Sequence, residues 1–297
     1  MKKIPFTGSA VAIVTPFKQN NTLDEAKLSE LIEMHIKEGT DAIVICGTTG
    51  EASAMPDAEH LYVIGQAVKF AAGRIPIIAG TGSNDTEHGI NLSKEAERLG
   101  SDALLLVTPY YNKATQKGLI EHFTKTANAV KIPVILYNVP SRTGVNMTPE
   151  TIYELSKVEN IVAVKEASGN IAQVAKIAAL CGDNMHIYSG NDDMITATIA
   201  LGGKGVISVV ANILPRETHD MVYKYLEGDT KGSLDLQLKM LDLIDSLFCE
   251  VNPIPVKTAM NLLGYEVGKL RLPLCDMEEH TLARLKRSLI DYGFKLS

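Results

Sequence analysis

Eight times in succession this chain places a short apolar run ahead of a longer amphipathic segment, and that alternation constrains its fold more than any other feature. The apolar runs are residues 10–14, 42–46, 75–79, 103–107, 134–137, 161–164, 186–189 and 205–209. Several lack polar alternation, as strands covered on both faces of a parallel sheet do. Between them, residues 24–38, 59–71, 87–99, 118–130, 149–155, 171–180 and 194–201 carry helical patterns. Start signals stand at Thr148 before Pro149, at Asn170 and at Asn191-Asp192, while Gly39, Gly73 and Gly100 sit where helices should stop. Eight β-then-α units in a row predict an α/β protein with a parallel sheet. At that strand number closure into a (β/α)8 TIM barrel is expected, with an open doubly wound sheet as the alternative.

Beyond about residue 215 no further strand signal is visible, and residues 232–250, 255–263 and 278–294 read as helices. The 297 residues would also suffice for two ordinary domains. The expected division is a catalytic barrel over residues 1–226 and a C-terminal helical region over 227–297, joined near Gly228-Asp229-Thr230.

Composition narrows function by exclusion. Lys and Arg number 29 against 35 Asp and Glu, so the formal charge of −6 leaves no broad basic field for nucleic acid. The 45% hydrophobic and 22% charged content is that of a soluble globular chain, and no apolar run approaches the length of a membrane span. The segment after Met1-Lys2-Lys3 is too short and strand-like for a secretory leader, so a cytoplasmic location is expected. Cys46, Cys181, Cys249 and Cys275 form no C-x-x-C pair, and the seven histidines are scattered. Neither a metal site nor a cofactor is expected.

In a barrel of this kind chemistry is housed where the strands end. The sixth run leads into Lys165, an amine leaving a buried strand for the barrel mouth. There it would lose hydration, and its pKa would fall toward a range where the free amine attacks a carbonyl; the alternative is an ordinary solvated lysine. After the second run come Gly47-Thr48-Thr49-Gly50-Glu51, either a plain glycine turn or a cradle of hydroxyls and N–H groups for a small carboxylate. Tyr110 and Tyr111 follow the fourth run and Tyr137 ends the fifth. They read as proton relays or as amphipathic plugs. Arg142 reads as a surface guanidinium or as a fork for a substrate carboxylate. Asn191 and Asp192 read as caps of the next helix, the stronger reading against the Asp192-Asp193 pair as metal ligands, for which no third ligand is suitably spaced. One amine, phenols, hydroxyls and an arginine together describe Schiff-base chemistry on a 2-oxo acid.

Three segments then carry a resemblance: Gly47-Thr48-Thr49-Gly50-Glu51, Tyr137-Asn138-Val139-Pro140-Ser141-Arg142-Thr143-Gly144 and Val164-Lys165-Glu166-Ala167-Ser168-Gly169. In this order and spacing the chain resembles, over nearly its whole length, the pyruvate-dependent class I aldolases of the dihydrodipicolinate synthase and N-acetylneuraminate lyase superfamily. Arg142 within Ser-Arg-Thr-Gly, with Thr-Pro-Tyr-Tyr-Asn after the fourth run, is similar to the synthase branch. The resemblance implies that Lys165 forms an imine with pyruvate, and that Thr49, Tyr137 and Tyr111 relay protons, Tyr111 from across a subunit interface. It further implies that Thr48 and Thr49 hold the pyruvate carboxylate and Arg142 that of L-aspartate 4-semialdehyde, with Gly190 and Ile207 forming the pocket wall. The implied product is 4-hydroxy-tetrahydrodipicolinate, on the diaminopimelate route to lysine, made by a homodimer or homotetramer. A sugar-acid lyase of the same superfamily, or a barrel that binds a 2-oxo acid without catalysis, is the alternative.

The resemblance also implies an effector pocket from Asn84, His88, His60 and Tyr110. Here His88 stands where lysine-inhibited relatives have an acid, and Asp57 where a histidine is common, so weak or absent inhibition by lysine is expected.

Overall fold

The computed structural model describes Lys2 and residues 4–297; Met1 and Lys3, part of the segment weighed above as a leader, lie outside the described residues. The strands are β1 (Gly8–Ala12), β2 (Ala42–Ile45), β3 (Ile77–Gly80), β4 (Ala103–Val107), β5 (Val134–Asn138), β6 (Ile161–Glu166), β7 (His186–Ser189) and β8 (Gly205–Ser208). They pair in parallel in chain order, and β8 returns to β1 with Ala10 opposite Ile207, so the sheet is a closed barrel rather than an open one. The helices are α1 (Glu25–Lys37), α2 (Asp57–Ala71), α3 (Thr86–Arg98), α4 (Gln116–Asn128), α5 (Pro140–Thr143), α6 (Pro149–Leu155), α7 (Ile171–Cys181), α8 (Ile195–Ala200), α9 (Pro215–Leu226), α10 (Thr230–Leu247), α11 (Ile254–Leu262) and α12 (Glu279–Tyr292).

The two-residue period of each strand sorts the core into two layers. Val11, Ile43, Ile45, Ile77, Leu104, Leu106, Val134, Leu136 and Val164 face outward and pack against the helices. Ala10, Ala12, Val44, Ile78, Leu105, Ile135, Ala163, Tyr188 and Ile207 fill the barrel interior. In β6 the alternation is broken. Val134 pairs with Ile161 but Ile135 with Ala163, which leaves Val162 as an extra residue in a bulge. Val162 and Ala163 both join the interior layer, while Ile161 and Val164 lie outside. Strict alternation from Ile161 would have turned the side chain of residue 165 toward the helices. The bulge shifts the phase by one residue.

Local signals account for most helix ends. The Thr148 side chain accepts from the Thr151 N–H and that of Asn170 from the Gln173 N–H, satisfying donors left over in the first turn. Asp192 departs from its expected role: its carboxylate accepts instead from the N–H groups of Val209 and Val210, at 3.0 and 2.8 Å, and so ties the end of β7 to the end of β8. A cap pairs with its own helix; here tertiary proximity offers two buried donors that the first turn of α8 does not. Helix α9 completes the eighth β-then-α unit, but its limits were not anticipated. Its buried residues Thr218, Met221 and Val222 are interspersed with charged ones, and Pro215 at its first turn reads equally well as a loop.

Helix α10 runs along α9 and α12, and the segment joining it to α11 reaches back to the barrel mouth. Among the described residues no helix is long and apolar enough to cross a membrane.

Candidate active site

At the C-terminal end of the barrel lies a cavity of about 170 Å³ whose wall includes Thr48, Thr49, Tyr137, Arg142, Lys165, Gly190 and Asn252. Lys165 projects into it from β6 and is 5% exposed. Burial pushes its pKa down to about 8, with the Asp192 carboxylate opposing and the Arg142 charge adding to the fall. A lysine at this value has free amine available near neutral pH. Tyr137 sits opposite Lys165 in the β5–β6 register, and the lysine Nζ lies 4.4 Å from the centre of its ring. Burial raises the phenol pKa, against weaker pulls from Arg142 and the Thr48 hydroxyl, so Tyr137 stays protonated beside the amine. The solvated-lysine alternative does not describe this amine.

Gly190 is required by the same amine. A Cβ there would lie 2.6 Å from Ala167 Cβ and 3.1 Å from Lys165 Cε, so any side chain would press on the lysine stem. Its N–H donates to the Glu166 carbonyl at 2.7 Å and holds the end of β7 against that of β6. Glu166 points away from the cavity and takes hydrogen bonds from Asn138 Nδ2, the Ser168 N–H and Gln173 Nε2.

The Thr48–Thr49 turn is closed by Gly50 N–H to the Gly47 carbonyl and Glu51 N–H to the Thr48 carbonyl. Thr49 is buried and Thr48 half-buried, both on the cavity wall. Beneath them Glu51, at φ 57°, sends its carboxylate into a buried ion pair with Lys257 of α11 at 2.7 Å and accepts the Arg271 N–H at 2.8 Å. Arg142 lies on α5, and its Nη2 donates to the Asn252 carbonyl at 2.9 Å.

Ile207 is fully buried in the barrel interior and is not part of the cavity wall, where Val209 stands instead. Tyr111 is 91% exposed, at φ 73°, and within this chain it does not reach the cavity. Asn252 and Phe248 were missed by sequence reasoning. They come from the C-terminal region, and an Asn-Pro step by itself signals only a loop.

A second cavity of about 380 Å³ adjoins the first and is lined in part by Asp57, His60, Ser83, His88 and Tyr110. His60 is buried and hydrogen-bonded to the Gly80 carbonyl at 2.8 Å, and burial lowers its pKa. His88 joins Ser83 Oγ at 3.0 Å and Asp57 Oδ1 at 2.9 Å. The Asp57 carboxylate is thus already paired with an imidazole. Asn84 lies outside this lining and instead hydrogen-bonds the Tyr110 carbonyl at 3.2 Å.

Comparison with known proteins agrees with this architecture. Residues 5–291 match the model of the Dihydrodipicolinate synthetase family. The chain is 58% identical over 291 residues to 4-hydroxy-tetrahydrodipicolinate synthase of Caldicellulosiruptor saccharolyticus, covering 98% of each. It is 61% identical over 275 residues to the enzyme of that name from Lachnoclostridium phytofermentans, covering 92% of this chain and 94% of the other. The crystal structure of dihydrodipicolinate synthase from Aquifex aeolicus superposes with a TM-score of 0.96 at 45% identity, covering 98% of this chain and 100% of that one. On its sequence and on its fold alike, the chain belongs to the dihydrodipicolinate synthetase family.

Proposed function

We propose that this protein condenses pyruvate with L-aspartate 4-semialdehyde to give 4-hydroxy-tetrahydrodipicolinate. The observation that carries the reading is a buried amine, held near neutrality, facing a protonated phenol in one small cavity. Free Lys165 adds to the ketone of pyruvate, and loss of water leaves an imine. The protonated imine draws electrons from the adjacent methyl carbon, which gives up a proton and becomes an enamine. The enamine carbon attacks the aldehyde, and the aldehyde oxygen takes a proton. The amino group of the second substrate then adds to the imine carbon and displaces Lys165, which closes the ring and frees the enzyme. Thr49 and Tyr137 serve as proton carriers, since hydroxyls donate and accept in turn. Thr48 and Thr49 receive the pyruvate carboxylate, with Gly190 leaving room for it, and Arg142 receives that of the semialdehyde as a fork. Arg142 supports this branch over a sugar-acid lyase, whose polyol substrate offers hydroxyls at that position.

Tyr111 completes the relay from a second copy of the chain. A fully exposed tyrosine in a left-handed backbone conformation stores strain, which persists where a function selects it. A homodimer is then the minimal active unit and a homotetramer a pair of these. In the second cavity Asp57 is already engaged by His88, which supports weak or absent inhibition by lysine.

Borohydride reduction in the presence of pyruvate should attach the three-carbon acid to Lys165, as read by peptide mass mapping. Labelling of another lysine, or of none, would refute the mechanism. Arg142→Ala should leave that labelling intact while raising the KM for the semialdehyde by roughly a hundredfold, the worth of a charge-assisted bidentate contact.

A further inference from the structure

The segment between α10 and α11 presses Asn252, 5% exposed, against two groups of the site at once. Its side-chain Nδ2 donates to Thr49 Oγ1 at 3.0 Å, and its backbone carbonyl accepts from Arg142 Nη2 at 2.9 Å. Its Oδ1 is buried without a hydrogen-bond partner. A carboxamide nitrogen can only donate, whereas a hydroxyl both donates and accepts. The bond to Thr49 therefore has one polarity: the threonine oxygen receives, and its own proton must be directed elsewhere. Turning the amide over would place Oδ1 against the hydroxyl and capture that proton, while stranding both amide N–H donors in a buried wall. As placed, the amide leaves Oδ1 and one N–H unpaired, so the two orientations strand equal numbers of groups, and it is the placed one that leaves the threonine proton free. Among the described residues Thr49 Oγ1 donates to no acceptor of the chain, and the cavity it borders holds Tyr137 and Lys165.

We propose that Asn252 is a positioning residue for the reaction. Its side chain occupies the acceptor side of Thr49 and so keeps the hydroxyl proton aimed into the cavity, and its backbone separately aims Arg142. The first part rests on the relay role of Thr49 proposed above. Because two different atoms carry the two parts, a side-chain substitution separates them. Asn252→Ala deletes the donor but retains the carbonyl that holds Arg142. Its kcat should fall by about ten- to a hundredfold, while KM for each substrate stays within about twofold of the original. Asn252→Asp, nearly the same shape but an acceptor, should be at least as slow.

The decisive measurement is the double-mutant cycle with Thr49→Val. If Asn252 acts through the threonine, adding Asn252→Ala to Thr49→Val should change kcat by less than about twofold. Full multiplication of the two losses would overturn the proposal. So would an unaltered kcat in either Asn252 variant, or a raised semialdehyde KM as the principal effect of Asn252→Ala, which would mean that the segment merely loosens. Thr49→Val turning over at the unmodified rate would instead remove the relay role of Thr49 and this proposal with it, while borohydride labelling of Lys165 would still stand.

Discussion

Lys165 shows how little of a lysine's ordinary chemistry has to change for its amine to be free near neutral pH. Its stem passes Gly190, its head shares a small cavity with Tyr137, and burial lowers its pKa to about 8. Burial disfavours the charged form, so the sign is fixed: the reactive amine is depleted below that value and saturates above it. The initial rate of imine trapping with pyruvate should therefore climb about tenfold per pH unit below roughly pH 7 and level off above roughly pH 9. A rate still climbing steeply at pH 10 would show a lysine in ordinary solvent. Lys165, Thr49, Tyr137 and Arg142 could be picked out from strand ends alone, since Tyr137 ends an apolar run and the other three lie within five residues after one. Asn252 could not. Its partners are 203 and 110 residues away, and no local pattern links them.

At the scale of elements, the Thr48–Thr49 turn after β2 is held from below by the C-terminal region. Lys257 Nζ meets Glu51 at 2.7 Å and the Lys269 carbonyl at 2.9 Å, with both side chains of the ion pair essentially sealed from water. The Phe17 ring lies 4.3 Å from that ammonium and 3.9 Å from the Arg271 guanidinium, which forks onto Glu59 through two hydrogen bonds of 2.7 Å. A pair so deeply buried gains little net stability, but removing one member strands the other. Lys257→Met should therefore cost about 3–5 kcal/mol in urea unfolding, and Glu51→Gln together with Lys257→Met should recover most of it. An unchanged midpoint for Lys257→Met would mean that Glu51 finds another partner. The turn and the helical region were each legible in sequence, but not that one braces the other.

For the whole molecule, a single chain encloses the amine, the hydroxyls, the arginine and Tyr137, yet leaves Tyr111 outside. If a second copy supplies that phenol, Lys165→Ala and Tyr111→Phe each spoil every site in their own homodimers. Mixed dimers hold one site with both residues intact. Equal amounts of the two variants, after subunit exchange, should approach about one quarter of the original activity, the value for random pairing with one good site in half of the dimers. Mixtures no more active than the variants alone would place the relay within one chain. The same arrangement predicts that specific activity falls on dilution into the range where subunits part.

By itself the sequence determined the barrel and the chemistry available at its mouth. Both are written in short stretches: apolar runs that demand cover on two faces, helical periodicity between them, and reactive side chains at the points where strands end. Three things were left to the tertiary structure. The bulge at Val162 turned Lys165 inward, because the phase of a strand depends on how it registers with its neighbour and not on its own alternation. Asp192 was drawn from its own helix to the Val209 and Val210 N–H groups. The C-terminal segment delivered Asn252 to Thr49 and Arg142. In each case the deciding partner lies on another element, and a contact between distant stretches exists only once the closed barrel has brought them within hydrogen-bonding distance.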